Sequence, residues 1–286
     1  MNENEMLGKI CIVTGATSGI GKVTARVLAE KGATVLFIGR NKKKCESTLN
    51  SIEKKTSNKN VSYLVADLSS QKDIRDISNE IHKKFTHIDV LVNNAGARFL
   101  KNLKSVDGIE MTFALNHLAY FLLTNLLLDL LKKSESARVV NVSSSYHNTN
   151  INFEDIQLQK NFDGRKAYAQ SKLANILFTI ELSKILKDTN ITSNCLHPGG
   201  VASKFSLNNG IYPYAKHIVI YLLRRKLLSS EKGAITSIYL ASSDEVRGIT
   251  GEYFYECKPV TSIKKLYNED VSKNLWKISE KMTGLS

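Results

Sequence analysis

Short apolar runs alternate with helix-periodic stretches along most of this chain, and that alternation limits the fold more tightly than any single motif. Strand-like runs occupy Lys9 to Thr14, Ala33 to Gly39, Val61 to Ala66, Ile88 to Asn93, Arg138 to Ser143 and Ile191 to His197. Several are apolar almost throughout rather than at every second position, as expected of parallel strands covered on both faces. Helical periodicity fills the intervals near 20 to 31, 41 to 55, 71 to 84, 108 to 132 and 167 to 187. Such a chain is expected to be an α/β protein: a doubly wound parallel sheet of about seven strands with helices on both faces. Ligands of these sheets bind beyond the carboxyl ends of the strands, so the chemistry should follow the strand ends.

The 286 residues, 42% of them hydrophobic, suffice to bury one large core. With three prolines, no Gly/Ser-rich linker and no repeat, the chain reads as one domain over residues 1–286. The start, Met1 to Met6, lacks a basic region followed by a long apolar run, and no apolar stretch is long enough to span a bilayer. Cys11, Cys45, Cys195 and Cys257 have neither CxxC nor paired spacing. That scatter fits reduced thiols in a cytoplasmic protein and offers no metal-ligand set. A net charge of +13 implies weak affinity for anions. The lysines form no basic patch interleaved with aromatics, which argues against a nucleic-acid partner. A narrower use of positive charge is a phosphorylated cofactor.

Directly after the first strand comes Thr14-Gly15-Ala16-Thr17-Ser18-Gly19-Ile20-Gly21, opening a helix. Glycines here permit a tight turn and let backbone amides approach a pyrophosphate at a helix N-terminus. The spacing is G-x-x-x-G-x-G, and its position in the first βα unit points to a dinucleotide. At the end of the second strand, an acid would suit a free ribose 2'-hydroxyl and a cation a 2'-phosphate. The sequence there is Ile38-Gly39-Arg40-Asn41-Lys42-Lys43-Lys44, without Asp or Glu. NADP is therefore expected over NAD, with Arg40 able to pair with the phosphate in a fork and Asn41 beside it. Lys22 and Lys44 are alternative phosphate ligands.

In Ala167-Tyr168-Ala169-Gln170-Ser171-Lys172-Leu173-Ala174-Asn175, a helical stretch projects Tyr168 and Lys172 from one face. An ammonium near a phenol favours the phenolate and turns a tyrosine into acid/base machinery. Asn116 lies inside an otherwise apolar helical stretch, and asparagine is a poor interior helix former, so a specific amide role is expected.

Taken in order, Thr14 to Gly21, Asn93-Asn94-Ala95-Gly96, Ser143-Ser144-Ser145 and Tyr168-x-x-x-Lys172 resemble the short-chain dehydrogenase/reductase family over nearly the whole chain. Gly21-Lys22-Val23-Thr24-Ala25, Ser171 to Phe178, His197-Pro198-Gly199 and the tail around Leu275-Trp276 are similar to its retinol dehydrogenase-like branch. The resemblance implies a Rossmann-like sheet and a role for each matching residue. Tyr168 exchanges a proton with the substrate oxygen as hydride moves to or from the nicotinamide. Lys172 lowers the pKa of that tyrosine and holds the nicotinamide ribose. Ser144 polarises the substrate oxygen, with Ser143 and Ser145 as alternatives, and Asn116 holds a proton-relay water near Lys172.

The same resemblance assigns Gly15, Thr17, Ser18, Gly19, Ile20 and Gly21 to the cofactor turn. Asp67 and Leu68 fall beside the adenine. Asn94, Ala95 and Gly96 fall where the cofactor lies close to backbone. Pro198, Gly199, Val201 and Ser203 belong to the loop that meets the carboxamide, where Gly200 replaces a threonine frequent in this branch. Specificity is expected from residues 146–166 and from an insertion at 205–228, whose aromatic, aliphatic and basic residues suit a lid over an apolar pocket, a helix weakly docked on an anionic membrane surface, or an ordinary packed helix. The expected substrate is a lipophilic alcohol, aldehyde or ketone. A regulator that binds cofactor without turnover and a basic scaffold are the other readings. Dimers, tetramers and monomers all occur in the family, so a homo-oligomer is compatible with the resemblance.

Overall fold

The apolar runs become strands because each buries both of its faces. In β1 (Ile10–Thr14), Cys11 and Val13 enter one core while Ile12 enters the other. The same division separates Val35 and Phe37 from Leu36 and Ile38 in β2 (Thr34–Gly39), and Val90 and Val92 from Leu91 in β4 (Val90–Asn93). Two buried faces leave no polar alternation, which is why these strands read as continuous apolar runs.

The computed structural model describes residues 5–201, 228–261, 263 and 268–286. The remaining strands are β3 (Val61–Val65), β5 (Ala137–Val142), β6 (Ile191–Leu196), β7 (Tyr253–Tyr255) and β8 (Lys258–Pro259). Together they form one 8-stranded sheet in the order β3-β2-β1-β4-β5-β6-β7-β8. Every neighbouring pair is parallel except β7 with β8. The expected doubly wound sheet is thus observed with eight strands against about seven expected, β7 and β8 being short strands beyond the six apolar runs.

One face carries α1 (Gly19–Glu30), α2 (Lys42–Thr56) and α8 (Ser230–Ser242), with α1 packed against both others. The other face carries α3 (Gln71–Lys84), α5 (Ala119–Leu126), α7 (Gly164–Ile185) and α9 (Glu269–Thr283). Trp276 of α9 packs edge-on to Phe121 at 4.8 Å and stacks on Phe178 at 5.8 Å, closing this second core. Strand order reverses between β1, which leads to β2 and β3, and β4, which leads to β5 and β6. That switch point is where such a sheet leaves a crevice for ligand.

The helical stretch expected over 108–132 is broken into pieces. Gly108, at φ +75°, sits in a turn, and α4 (Met111–Phe113) begins only after Glu110, whose carboxylate accepts from the amides of Thr112 and Phe113 at 2.9 and 2.7 Å. A π-helical turn follows at Ala114–Leu118, then α5, then α6 (Leu128–Lys132). The π turn adds a residue to the helical spiral and rotates Asn116 into the protein, where its amide bonds backbone of the loop after β4. Helix α7 starts three residues before its expected start because Asp163 caps it, accepting from the amides of Arg165 at 2.7 Å and Lys166 at 3.2 Å.

Candidate active site

A cleft of about 1100 Å³ opens over the carboxyl ends of β1 to β6. Its floor is a backbone crossing. The Thr14 hydroxyl accepts from the amides of Asn94 and Ala95 at 2.8 and 3.0 Å, and Asn94 Nδ2 donates to Thr14 O at 2.8 Å. These bonds draw the turns after β1 and β4 so close that a side-chain carbon on Gly15, itself at φ +67°, would stand 2.7 Å from Ala95 Cα. One on Gly21 would stand 2.3 Å from Asn94 Nδ2. Ser18 occupies the N-cap of α1 without a side-chain cap bond, so its hydroxyl leaves the first-turn amides to other acceptors. A bare glycine floor meeting an uncapped helix start fits the pyrophosphate of a dinucleotide.

Gly15, Thr17, Ser18, Gly19, Ile20 and Gly21 all line this cleft, as do Asp67, Leu68, Asn94, Ala95, Gly96, Pro198, Gly199 and Val201. Ser203 and the 205–227 part of the expected insertion lie outside the described residues. Its end, Leu228, pairs with Val201, and its amide donates to Gly200 O at 2.7 Å at the edge of the cleft. Asn41 is not on the cleft lining. Its side chain caps α2, accepting from the Lys44 amide at 3.0 Å, so the polar group beside Arg40 is used within the helix.

Arg40, Lys22, Lys43 and Lys44 line the cleft where it runs past the ends of β2 and β3. Parallel pairing of Gly39 with Val65 carries Asp67 alongside, and Arg40 Nη1 lies 3.7 Å from Asp67 Oδ2. This pair is exposed, worth at most about 1 kcal/mol and readily exchanged. Asp67 Oδ1 meanwhile accepts from the Ser69 amide and hydroxyl at 3.0 and 2.7 Å, which fixes the carboxylate at the rim.

At the opposite end, Tyr168 is half-buried on the cleft wall. The Lys172 ammonium lies 5.9 Å from the centre of its ring and 5.7 Å from that of Tyr120, and donates to Val142 O at 2.9 Å. Burial pushes Lys172 down to about 7, so its charged and neutral forms coexist near neutrality. The three serines after Val142 separate by position. Ser143 is buried and donates to Lys172 O at 2.8 Å, stitching β5 to α7. All three line the cleft; Ser145 is exposed and Ser144 is half-buried, with its hydroxyl not committed to Lys172 as that of Ser143 is.

Asn116 stands behind the cleft rather than in it. Its Oδ1 accepts from the Ala97 amide at 2.9 Å, and its Nδ2 donates to Ala97 O at 2.9 Å and to Ser171 Oγ at 3.0 Å. Ser171 in turn donates to Tyr168 O at 2.8 Å, so the π turn grips the tyrosine's own backbone. A side-chain carbon on Gly96 would lie 3.1 Å from Asn116 Oδ1 and 3.6 Å from Lys172 Nζ, placing amide, ammonium and cleft floor at one point.

A profile of the short chain dehydrogenase family matches residues 9–210. The chain belongs to that family. Human retinol dehydrogenase 14 is 39% identical over 98% of this chain and 88% of its own length, and human retinol dehydrogenase 13 is 38% identical over 97% and 85%. The chain lies in the retinol dehydrogenase-like branch. Among solved structures, an uncharacterised protein from Mycobacterium paratuberculosis superposes with a TM-score of 0.76 at 30% identity, covering 97% of this chain and 94% of its own. A short chain dehydrogenase from Escherichia coli CFT073, solved with NADPH, shares the fold at a TM-score of 0.70 and 24% identity, over 89% and 98%. Short-chain dehydrogenases are oxidoreductases working with a nicotinamide cofactor on a small-molecule substrate, and the cleft of this short-chain dehydrogenase suits both.

Several cleft residues escaped the sequence reading. Arg98 and Phe99 follow the Asn94–Gly96 motif directly, and that adjacency was the available signal. Tyr255 comes from β7, too short at three residues to register as a strand. Leu115 lies on the π turn. Tyr146, which opens the 146–166 stretch expected to carry specificity, lines the cleft with its ring 6.5 Å from that of Tyr168.

Proposed function

We propose that this chain is an NADP(H)-dependent oxidoreductase acting on the carbonyl or alcohol of a lipophilic substrate, with Tyr168 as general acid/base. The observation that carries this reading is that Tyr168, half-buried, shares one cleft with the glycine floor and has the Lys172 ammonium 5.9 Å from its ring. Bound there, the nicotinamide supplies or accepts the hydride. Tyr168 holds the proton that the substrate oxygen gains on reduction or loses on oxidation. The Lys172 cation favours the phenolate, and the Ser144 hydroxyl orients the substrate oxygen as charge develops on it. Asn116 acts through Ser171 and Ala97 to keep Tyr168 and the floor in register.

Four cations at the adenine rim, Arg40, Lys22, Lys43 and Lys44, face one acid there, Asp67, which supports a 2'-phosphate. Arg40 exchanges its exposed pairing with Asp67 for the phosphate. Phe99, Leu115, Tyr146 and Tyr255 give the catalytic end an apolar and aromatic wall. Retinol, in the names of the relatives, is itself a lipophilic alcohol. The cytoplasm is the proposed setting, supported by four free cysteines. Among the described residues no helix is long and apolar enough to cross a membrane. Replacing Tyr168 with Phe removes the proton while keeping the ring. Turnover should fall by roughly 10²- to 10⁴-fold with NADPH binding retained. Activity near wild type in that variant would overturn the assignment.

A further inference from the structure

Beyond Val142 the chain leaves the parallel ladder. Val142 is the last residue of β5 paired with β6, and the Ser143 amide makes the final backbone bond, to Leu196 O at 2.7 Å. Ser144 comes next. Its hydroxyl accepts from the Tyr146 amide at 3.2 Å, but its peptide has no strand partner to fix it. The Ser144 carbonyl is instead held from two sides. Tyr253, the first residue of β7, donates its hydroxyl to Ser144 O at 3.2 Å, and His147 donates Nδ1–H to the same oxygen at 2.8 Å. A carbonyl oxygen has two lone pairs, and both are engaged.

The two donors brace one another. The His147 ring meets Tyr253 edge-on at 5.5 Å, and Tyr253 also stacks with His197 at 5.8 Å. His197 is stacked in turn on Tyr255 at 4.0 Å, with only 8° between the ring planes. Its Nδ1 accepts from the Gly199 amide at 3.2 Å, tying the stack to the loop after β6. Burial keeps the Tyr253 phenol far above the usual tyrosine range, so its hydroxyl remains a donor throughout the working range of pH. Burial likewise pushes His197 down to about 4, leaving its ring neutral and able to accept that amide.

We propose that Tyr253 is a positioning residue for the reaction: with His147 it holds the Ser144 carbonyl, and thereby sets the direction of the Ser144 hydroxyl in the cleft. The argument rests on the role given to Ser144 above. Tyr253 is not on the cleft lining, and its hydroxyl reaches the cleft wall through the Ser144 carbonyl, so its effect passes through Ser144.

A double-mutant cycle on the full chain tests this, with steady-state reduction of a carbonyl substrate by NADPH as readout. Tyr253→Phe should lower kcat about 3- to 10-fold, the loss of one hydrogen bond, with KM for NADPH unchanged. Ser144→Ala should lower kcat by about 10²-fold. In the Ser144→Ala background, Tyr253→Phe should cost nothing further, because the group it positions is gone. His147→Ala should repeat the loss, and His147→Asn, which restores a donor at the Nδ1 position, should recover most of it. The His147 pair also serves as the test should Tyr253→Phe fail to fold. An equal cost of Tyr253→Phe in both backgrounds would overturn the proposal and mark the tyrosine as structural. Full activity in Ser144→Ala would overturn it too. Failure of the underlying catalytic reading is recognised separately, by an active Tyr168→Phe variant.

Discussion

Acid should unfold this protein through His117. That imidazole is completely buried on the π turn among the rings of Phe113, Phe121 and Phe178, at 5.0, 6.4 and 6.3 Å. Its nitrogens meet Ser279 Oγ of α9 at 2.9 Å and Asn175 Oδ1 of α7 at 3.4 Å, neither of which offers a charge. Burial pushes its pKa from 6.5 to about 4. The neutral ring therefore contributes stability that is fully present above 6.5, the unfolded value, and lost as pH falls through about 4. In that interval the unfolded chain takes up a proton that the native one refuses. Linkage across a window of this width removes about 1.4 kcal/mol by about pH 5.5 and about 2.5 kcal/mol by about pH 4.5.

Urea unfolding, followed by tryptophan fluorescence at intervals from neutral pH downward, measures this in wild type and in His117→Gln. The Trp276 reporter packs in the same core, against Phe121 and Phe178. The variant loses packing and should be less stable at neutral pH, but other titrating groups are common to both proteins and cancel in the difference. The stability gap between wild type and variant should hence close by about 2.5 kcal/mol on reaching about pH 4.5. Two curves that stay parallel across this range would refute the reasoning, since His117 would then titrate alike in folded and unfolded chains.

Two further outcomes concern the cofactor. Arg40→Asp should weaken NADPH binding roughly 10- to 100-fold while sparing NADH, a reversal of preference read by fluorescence titration; an unchanged NADPH affinity would move the 2'-phosphate to Lys22, Lys43 or Lys44. Under the proposed reading Lys172 holds an anionic cofactor, which it would do best as a cation, and burial lowers its pKa to about 7. NADPH affinity should consequently be highest below that pH and weaken as pH rises through it, by up to about tenfold per pH unit, with the dependence absent in Lys172→Met. A wild-type profile that matches the Lys172→Met profile would remove the ammonium from the cofactor site.

The central strands were legible because their two buried faces impose runs of apolar, β-branched residues, and the glycine turn because its backbone approach excludes side chains. That Tyr168 and Lys172 share one helix face was legible from their spacing, since residues four apart on a helix are neighbours, but the spacing is common by chance and took its weight from the glycine turn and the strand-end motifs around it. What depends on register between distant segments was not legible. The placing of Asp67 beside Arg40 follows from the pairing of Gly39 with Val65, a fact of the assembled sheet. The π turn reads as ordinary helix in the sequence because one inserted residue barely disturbs apolar periodicity; Asn116 within it signals a specific amide role but not the change of helix type. Strand β7 was missed because three residues are too few to show a period, yet it delivers Tyr253 and Tyr255. Asn41, adjacent to Arg40 in sequence, turned out to serve its helix and not the cleft, a reminder that capping competes for polar residues at strand-to-helix corners.

Consumption of NADPH, set beside NADH, over a panel of aliphatic, aromatic and retinoid aldehydes and ketones tests the central claim most directly. The account predicts turnover with at least the more lipophilic members and a preference for NADPH. Tight NADPH binding without turnover on any member of the panel would contradict it, and would leave the chain a protein that binds its cofactor without using it.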